Sequence, residues 1–527
     1  MSPITAKAVA SGAVVEGPVV ETSSGKLRGA THAGVHSFKG VPYGMSTAGA
    51  ARWLPARPAS WSGVRDALDY GPRAPQNERP SQEPHLKWIR DTRPFGEDCL
   101  VLNVWTPGVN DNAKRPVMVY VHGGGFIAGA SSAAGIDGTN LAKRGDVVVI
   151  SLNHRLNVFG FLHLGDAEGG RYLDAGNVGM LDVVSALRWV RDNAAVFGGD
   201  SGNVTVFGQS GGASKVALLA AMPEAKGLIH KGIIQSASSM LRMGEVEAVT
   251  RNTKLFMEQA GARDIAALRE IPVDRLLAAM RATITAAGRV DEFRPVVDGR
   301  ALPTQPFHPV ALANSARVPL LMGNCETEAA FAFSQEPSNF ALTPEQAQAR
   351  VKRFVNCSDE QAADLIALYQ KSRPGMSPGQ IFTRIHSDHM YRRSVTRAGE
   401  LKAAAGGAPA YVYHMTWKTP VLDGVLGTPH TMCLPFVFGN VDVAAGLTGT
   451  GPERYALQDR MMGAWIAFAR TGNPNHGGLP EWKPYNGTER PTMIFDNECK
   501  VVNDPRREER LAFEALPPYV MEAIGRR

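Results

Sequence analysis

Val204-Thr205-Val206-Phe207-Gly208-Gln209-Ser210-Gly211-Gly212-Ala213-Ser214-Lys215-Val216-Ala217-Leu218-Leu219-Ala220-Ala221-Met222 is the stretch whose reading decides the fold. Its first four residues form a short, unbroken apolar run, as strands buried on both faces do. Residues 214–222 read as a helix. Between them lies Gly208-Gln209-Ser210-Gly211-Gly212, a match to G-x-S-x-G. The pentapeptide alone is weak evidence, but a buried strand before it and a helix after it give it meaning. A strand that ends at a sheet edge lifts the serine into the open, and the helix behind it turns its first amides toward any negative charge that develops there. Glycines flank the serine because a strained turn and a close backbone approach leave no room for Cβ. Ser210 is therefore the candidate nucleophile.

Working outward, the same kind of apolar run recurs at 117–121 (VMVYV), 146–152 (DVVVISL), 232–236 (GIIQS) and 318–324 (VPLLMGN), with late strands at 410–417 and 492–497. Between Asn177 and Phe197, the residues Met180, Val184, Leu187, Val190 and Ala194 recur at helical spacing, and Asn177 is a plausible cap. Strands alternating with helices predict an α/β protein with a large, mostly parallel central sheet flanked by helices. Before residue 45, short β-favouring runs broken by Ser-Gly and Ala-Gly turns predict N-terminal antiparallel hairpins. Residues 241–290 and 343–405 have helical period and are expected to be helical insertions that shape the substrate pocket. No repeat or low-complexity linker divides residues 1–527, so a single domain is expected.

Composition removes several function classes. With 527 residues, 44% hydrophobic and 20% charged, the chain can bury a sizeable core. Lys and Arg exceed Asp and Glu by 56 to 50, a net charge of +6, and no basic run concentrates it, so no nucleic-acid partner is expected. No run approaches the 18 or so apolar residues of a transmembrane helix. The first twenty residues read as a soluble lead-in, which suits either a cytoplasmic protein or a secreted or periplasmic one whose signal peptide has been removed. The five cysteines are scattered, with no CxxC pair, so neither a disulfide framework nor a metal site is expected. No cofactor is expected.

A serine hydroxyl reacts only when a base takes its proton and donors hold the oxyanion. Donors are offered by His122-Gly123-Gly124-Gly125-Phe126, directly after the 117–121 run, where three glycines expose consecutive N–H groups as in the HGGG-type oxyanion loop of esterases. With Glu97-Asp98-Cys99-Leu100-Val101-Leu102-Asn103, these segments make the chain resemble the type B carboxylesterases, the α/β-hydrolases that include cholinesterases and bacterial para-nitrobenzyl esterase. FKGVPYG, NVGMLDVVSALRWV, FGGDSGNVTVFGQSGG, LPFVFGN and WIAFARTGNPN carry the resemblance in order along almost the whole chain. It implies an α/β-hydrolase fold and a serine esterase acting on a small-molecule ester. Bacterial members are the expected neighbours, and the fumonisin esterases, which release tricarballylate side chains, are a natural comparison.

The resemblance also assigns the remaining roles. Of thirteen histidines, His430 stands just ahead of LPFVFG, where the family has its catalytic histidine, while His122 belongs to the oxyanion loop and His154 to a structural segment. The register of GNCETEAAF falls on Glu328 for the acid, with Glu326 as runner-up and Asp298 in a structural segment. Ser210, Glu328 and His430 then follow the chain order of α/β-hydrolases. The amides of Gly124, Gly125 and Gly211 form the oxyanion hole.

Departures from the family are also visible. Relatives mostly have Glu and Ala where this chain has Gln209 and Gly211, a Glu at Cys433, and a Gly at Ala329. Ala74 replaces the cysteine that pairs with the one in EDCL, so Cys99 is expected to be free. The loss of two acidic residues, with Lys215, Arg384, Arg392 and Arg393 near the expected cleft, suggests an anionic ester. An amidase, carbamate hydrolase or lipase could use the same triad, and some relatives are binding proteins without a nucleophile; Ser210 and His430 argue for an enzyme.

Overall fold

The computed structural model describes residues 15–77, 83–238, 240–288, 293–311 and 313–519. Of the stretch read as a soluble lead-in, residues 1–14 lie outside the described residues, while the rest enters the first strand, Val15–Thr22. Residues 289 and 290, the end of the first expected insertion, also lie outside them.

The apolar runs become strands because side chains on both faces find a core. In Arg115–Val121, Val117, Val119 and Val121 join one hydrophobic cluster, while Met118 and Tyr120 join another on the opposite face. Val148–Leu152 divides in the same way, with Val148, Ile150 and Leu152 on one side and Val149 on the other. A period-2 backbone feeding two apolar layers explains why these segments show no polar alternation.

Seven strands run parallel in the order Val148–Leu152, Arg115–Val121, Gly199–Gln209, Lys231–Gln235, Leu320–Cys325, Ala410–Met415 and Pro491–Phe495. Antiparallel strands extend both edges: Val15–Thr22, Gly25–His32, Val35–Pro42 and Val101–Thr106 on one side, Lys500–Asn503 on the other. The sheet is thus the α/β-hydrolase sheet that the sequence implies, with hairpins at its N-terminal edge. One face packs against the helices Val178–Asn193 and Gly211–Leu219, and the other against Cys433–Phe438 and Glu453–Thr471.

The first insertion holds the helices Val246–Ala260, Ile265–Glu270 and Val273–Ala287. The second holds Pro344–Val355, Asp359–Ser372, Pro378–Ser387 and Arg393–Ala404, with a π-helical turn, Asp388–Arg392, before the last. Asn177 does precede the helix Val178–Asn193, but it is not a side-chain cap. Its amide instead donates to the Val296 carbonyl at 2.8 Å and to Asp298 at 2.9 Å, and accepts from the Val296 N–H. Tying a distant loop to the sheet thus wins over local capping. All five cysteines are free, Cys99 with Ala74 buried in the same core cluster.

Candidate active site

The strand Gly199–Gln209 passes into the helix Gly211–Leu219 with only Ser210 between them. Ser210 has φ 59° and ψ −125°, a conformation that costs a residue with a Cβ roughly 1–3 kcal/mol and persists only where its surroundings impose it. Here its N–H donates to the Gln235 carbonyl at 2.8 Å and its own carbonyl accepts from Ser214 N–H at 3.1 Å. The flanking glycines are needed on contact grounds. A Cβ on Gly212 would lie 2.0 Å from the Val121 carbonyl oxygen, and one on Gly211 would lie 2.1 Å from that of Gly125.

Val121 pairs with Gly208, so the loop after Val121 leaves the sheet beside the elbow. Gly124 and Gly125 have φ of 95° and 66°, which glycine adopts without steric cost. Among the described residues neither N–H has a backbone or side-chain acceptor. The His122 ring is buried and stacks on His154 with centroids 4.9 Å apart. Nδ1 of His122 bonds to the Gly123 carbonyl at 2.8 Å, and burial pushes the imidazole down to about 3, so it is neutral. Nδ1 of His154 bonds to the Arg155 carbonyl at 2.7 Å, a structural use of that histidine.

Glu328 lies just beyond the strand Leu320–Cys325 and is buried. Its Oε2 accepts a hydrogen bond from His430 Nδ1, its Oε1 accepts the Cys325 N–H at 2.7 Å, and its carbonyl accepts the His430 N–H at 3.3 Å. Glu326 points elsewhere, into ion pairs with Arg384 and Arg506. Burial works to raise its carboxyl, but the Arg384 guanidinium wins and holds it below the ordinary glutamate range. Asp298 accepts hydrogen bonds from Asn177, Arg300 and Leu302 and has no contact with His430. Of the three acids compared, only Glu328 meets the histidine.

The other ring nitrogen meets Gln209, one of the two positions that the sequence reading places near this histidine as replacements for carboxylates of relatives. Gln209 Nε2 lies 3.0 Å from His430 Nε2, and no hydrogen bond joins Ser210 Oγ to that nitrogen. A glutamine can donate here because it is neutral, whereas an ionised glutamate can only accept. The rings of Tyr391 and Phe331 flank His430 at 5.0 and 6.1 Å. Cys433, at the other position of altered charge, takes a hydrogen bond from Gln235 Nε2 at 3.1 Å. Among the described residues no cluster of side chains has the makings of a metal site.

A nucleophile elbow, a glycine loop and a paired His and Glu thus meet at the carboxyl edge of one sheet. Residues 16–514 match the model of the carboxylesterase family. The chain belongs to that family. It is 34% identical to the phenmedipham hydrolase of Pseudarthrobacter oxydans over 95% of this chain and 99% of that one. It is 35% identical to the para-nitrobenzyl esterase of Bacillus subtilis, covering 93% and 97%. The crystal structure of the Geobacillus stearothermophilus carboxylesterase EST55 superposes with a TM-score of 0.81 at 38% identity, over 94% of this chain and 99% of that one. This carboxylesterase is accordingly a carboxylic ester hydrolase of α/β-hydrolase fold.

The four cations expected beside the cleft of the esterase separate. Lys215 is fully buried against the glycine loop that follows Val121, and Arg384 is buried against Glu326. Lys215 is enclosed by the protein, whereas Arg384, with Glu326, Arg373 and Arg506, lines a separate cavity whose lining includes none of Ser210, Glu328 or His430. Arg392 and Arg393 line another cavity, of about 610 Å³, beside the turn that carries Tyr391; none of Ser210, Glu328, His430, Gly124 and Gly125 is in its lining. Arg392 pairs with Asp388 and Glu509. Arg393 donates to the carbonyls of Leu516 and Pro517, and Arg242, across the same cavity, to the His308 ring. Among the described residues neither Arg242 nor Arg393 has a carboxylate partner. No helix among them is long and apolar enough to cross a membrane.

Proposed function

We propose that Ser210 is the nucleophile, His430 the general base and Glu328 its orienting acid, with the oxyanion held by the amides of Gly124, Gly125 and Gly211. The observation that carries this reading is the His430 Nδ1 bond to buried Glu328, on a ring whose other nitrogen faces the elbow. That bond fixes the tautomer in which Nδ1 carries the proton and Nε2 is free to accept one. As Ser210 Oγ bonds to the ester carbonyl carbon, its proton passes to Nε2 and the carbonyl electron pair moves onto oxygen. Collapse of the tetrahedral adduct breaks the bond to the leaving alcohol, which takes the proton from Nε2. Water then repeats the sequence on the acyl-serine and releases the acid. Because Gln209 occupies Nε2 in the free enzyme, it yields that position when Ser210 bonds, consistent with catalytic hydrogen bonds that form only with substrate in place.

A serine-directed phosphonate is expected to label Ser210 stoichiometrically, and S210A and H430A to lose roughly 10⁴- to 10⁶-fold in kcat on para-nitrophenyl acetate. Label on another serine, or an active S210A, would overturn the assignment. A narrower reading of the substrate rests on the arginine-lined cavity: we infer that the ester carries negative charge, as the tricarballylate esters of fumonisins do. Arg242 and Arg393 line that cavity with their hydrogen bonds directed to a ring and to carbonyls, although carboxylates such as Glu514 share the lining.

A further inference from the structure

Three consecutive glycines have no side chains with which to fix a loop, and glycine loses more backbone freedom on ordering than any other residue. Yet an oxyanion hole works only when its donors are already aimed. Something must therefore hold Gly124 and Gly125. The loop's neighbours offer one candidate. Lys215, on the helix that begins at the elbow, is completely buried, with its Nζ 2.8 Å from the Gly125 carbonyl oxygen and 3.4 Å from that of His122. The ammonium also stands 5.1 Å from the centre of the Phe126 ring. Among the described residues it has no carboxylate partner.

Resting on the oxyanion reading of that loop, we propose that Lys215 is a positioning residue. Its buried ammonium grips the carbonyls at both ends of the glycine run and so fixes the amides of Gly124 and Gly125 that lie between. The carbonyl of Gly125 belongs to the same residue as one of these amides, so holding its oxygen leaves that residue little freedom. Gly211 belongs to the arrangement, since a Cβ there would strike the oxygen that Lys215 holds. The ammonium also brings positive charge beneath the loop at a fully buried position, where such charge acts strongly on a developing anion.

The titratable groups facing Lys215 are the stacked imidazoles of His122, beyond the strand Arg115–Val121, and His154, beyond Val148–Leu152. Burial and the lysine charge keep both neutral. Arg155, next in the chain, is paired bidentately with Asp182. Burial with no anion brings the Lys215 ammonium down to about 7. The charge in the grip therefore fades as pH rises through neutrality, although the amine keeps two donors.

The test uses full-length K215M and K215Q on para-nitrophenyl acetate, with rates expressed per site titrated by the phosphonate, so that misfolded protein does not count. K215M is expected to lose roughly 10- to 100-fold in kcat, with KM little changed, and to bind a trifluoromethyl ketone weaker by a similar factor, because that inhibitor forms the same oxyanion on serine. K215Q, which keeps a donor without charge, should fall between. Wild-type kcat should show a descending limb near pH 7, absent from K215Q. K215M with per-site kcat within about twofold of wild type overturns the proposal. Should K215M fail to fold, K215Q with per-site kcat and trifluoromethyl ketone affinity both within about twofold of wild type overturns it equally. Normal phosphonate labelling of Ser210 alongside either negative result would sink the lysine's role and leave the triad standing.

Discussion

Glu326 and Glu328 are two residues apart on one turn, both buried, and their partners separate them completely. Glu328 accepts a hydrogen bond from the His430 imidazole, proposed above as the general base, while Glu326 neutralises Arg384 inside the protein. E328Q should therefore lower kcat by roughly 10³- to 10⁴-fold with a near-native melting temperature, as loss of the orienting carboxylate does in a triad. E326Q leaves a buried guanidinium short of its anion and should lower stability by about 3–5 kcal/mol with little change in kcat per folded molecule, as read by denaturant unfolding and titrated rates. Lys215 supplies a pH test of the same kind. Its ammonium is depressed to about 7 in the folded chain, against an ordinary value near 10.5. Between those values the unfolded chain binds the extra proton, so stability should rise with pH across that window, while below about 7 the cost of burying the charged lysine is present in full and this group adds no further pH dependence. Comparing unfolding free energies of wild type and K215M at several pH values should reveal a steeper rise in wild type. Equal slopes would contradict the burial.

At the scale of elements, the site is assembled by strand ends and little else. Register brings Val121 beside Gly208 and Gln209 beside Gln235, so two loops and the elbow leave the sheet together. That much was legible in the sequence, because continuous apolar runs such as VMVYV demand burial on both faces and the glycines mark where backbones approach. The pairing of Glu328 with His430 was legible only through resemblance: nothing in GNCETEAAF itself says which of the two buried glutamates meets the histidine. The Gln209 contact with His430 was hidden because it depends on a side-chain conformation, and the burial of Lys215 because lysines are mostly exposed. The close approach of Gly211 to the Gly125 oxygen gives this scale its prediction. G211A should push the oxyanion loop off its anchor and lower kcat by roughly tenfold or more, with phosphonate labelling slowed in proportion. If G211A retains full activity, the loop is softer than the 2.1 Å approach implies.

For the whole molecule, the relevant quantity is where a modest excess of positive charge is felt. A net charge of +6 spread over 527 residues would steer no particular substrate. The cavity behind Tyr391 differs, because Arg242 and Arg393 bring charge to one concave wall while their hydrogen bonds go to a neutral ring and to carbonyls. Burial lowers the proton affinity of the Arg393 guanidinium, and the Glu514 carboxylate only partly offsets it. Glu245, Asp388, Glu400 and Glu514 also line the cavity, so its field is a balance of signs and must be measured. Salt separates the possibilities, since at physiological ionic strength charges facing solvent are largely screened from one another beyond about 8–10 Å. With two para-nitrophenyl esters matched in size, one ending in a carboxylate and one in an amide, kcat/KM for the anionic ester should fall several-fold between low and high salt while that for the neutral ester stays level. R393Q should remove most of that difference without altering the neutral ester, because Arg393 lies outside the triad and the oxyanion loop. Identical salt responses for the two esters would mean that the cavity does not recruit substrate by charge, and the esterase would then choose its substrates by shape.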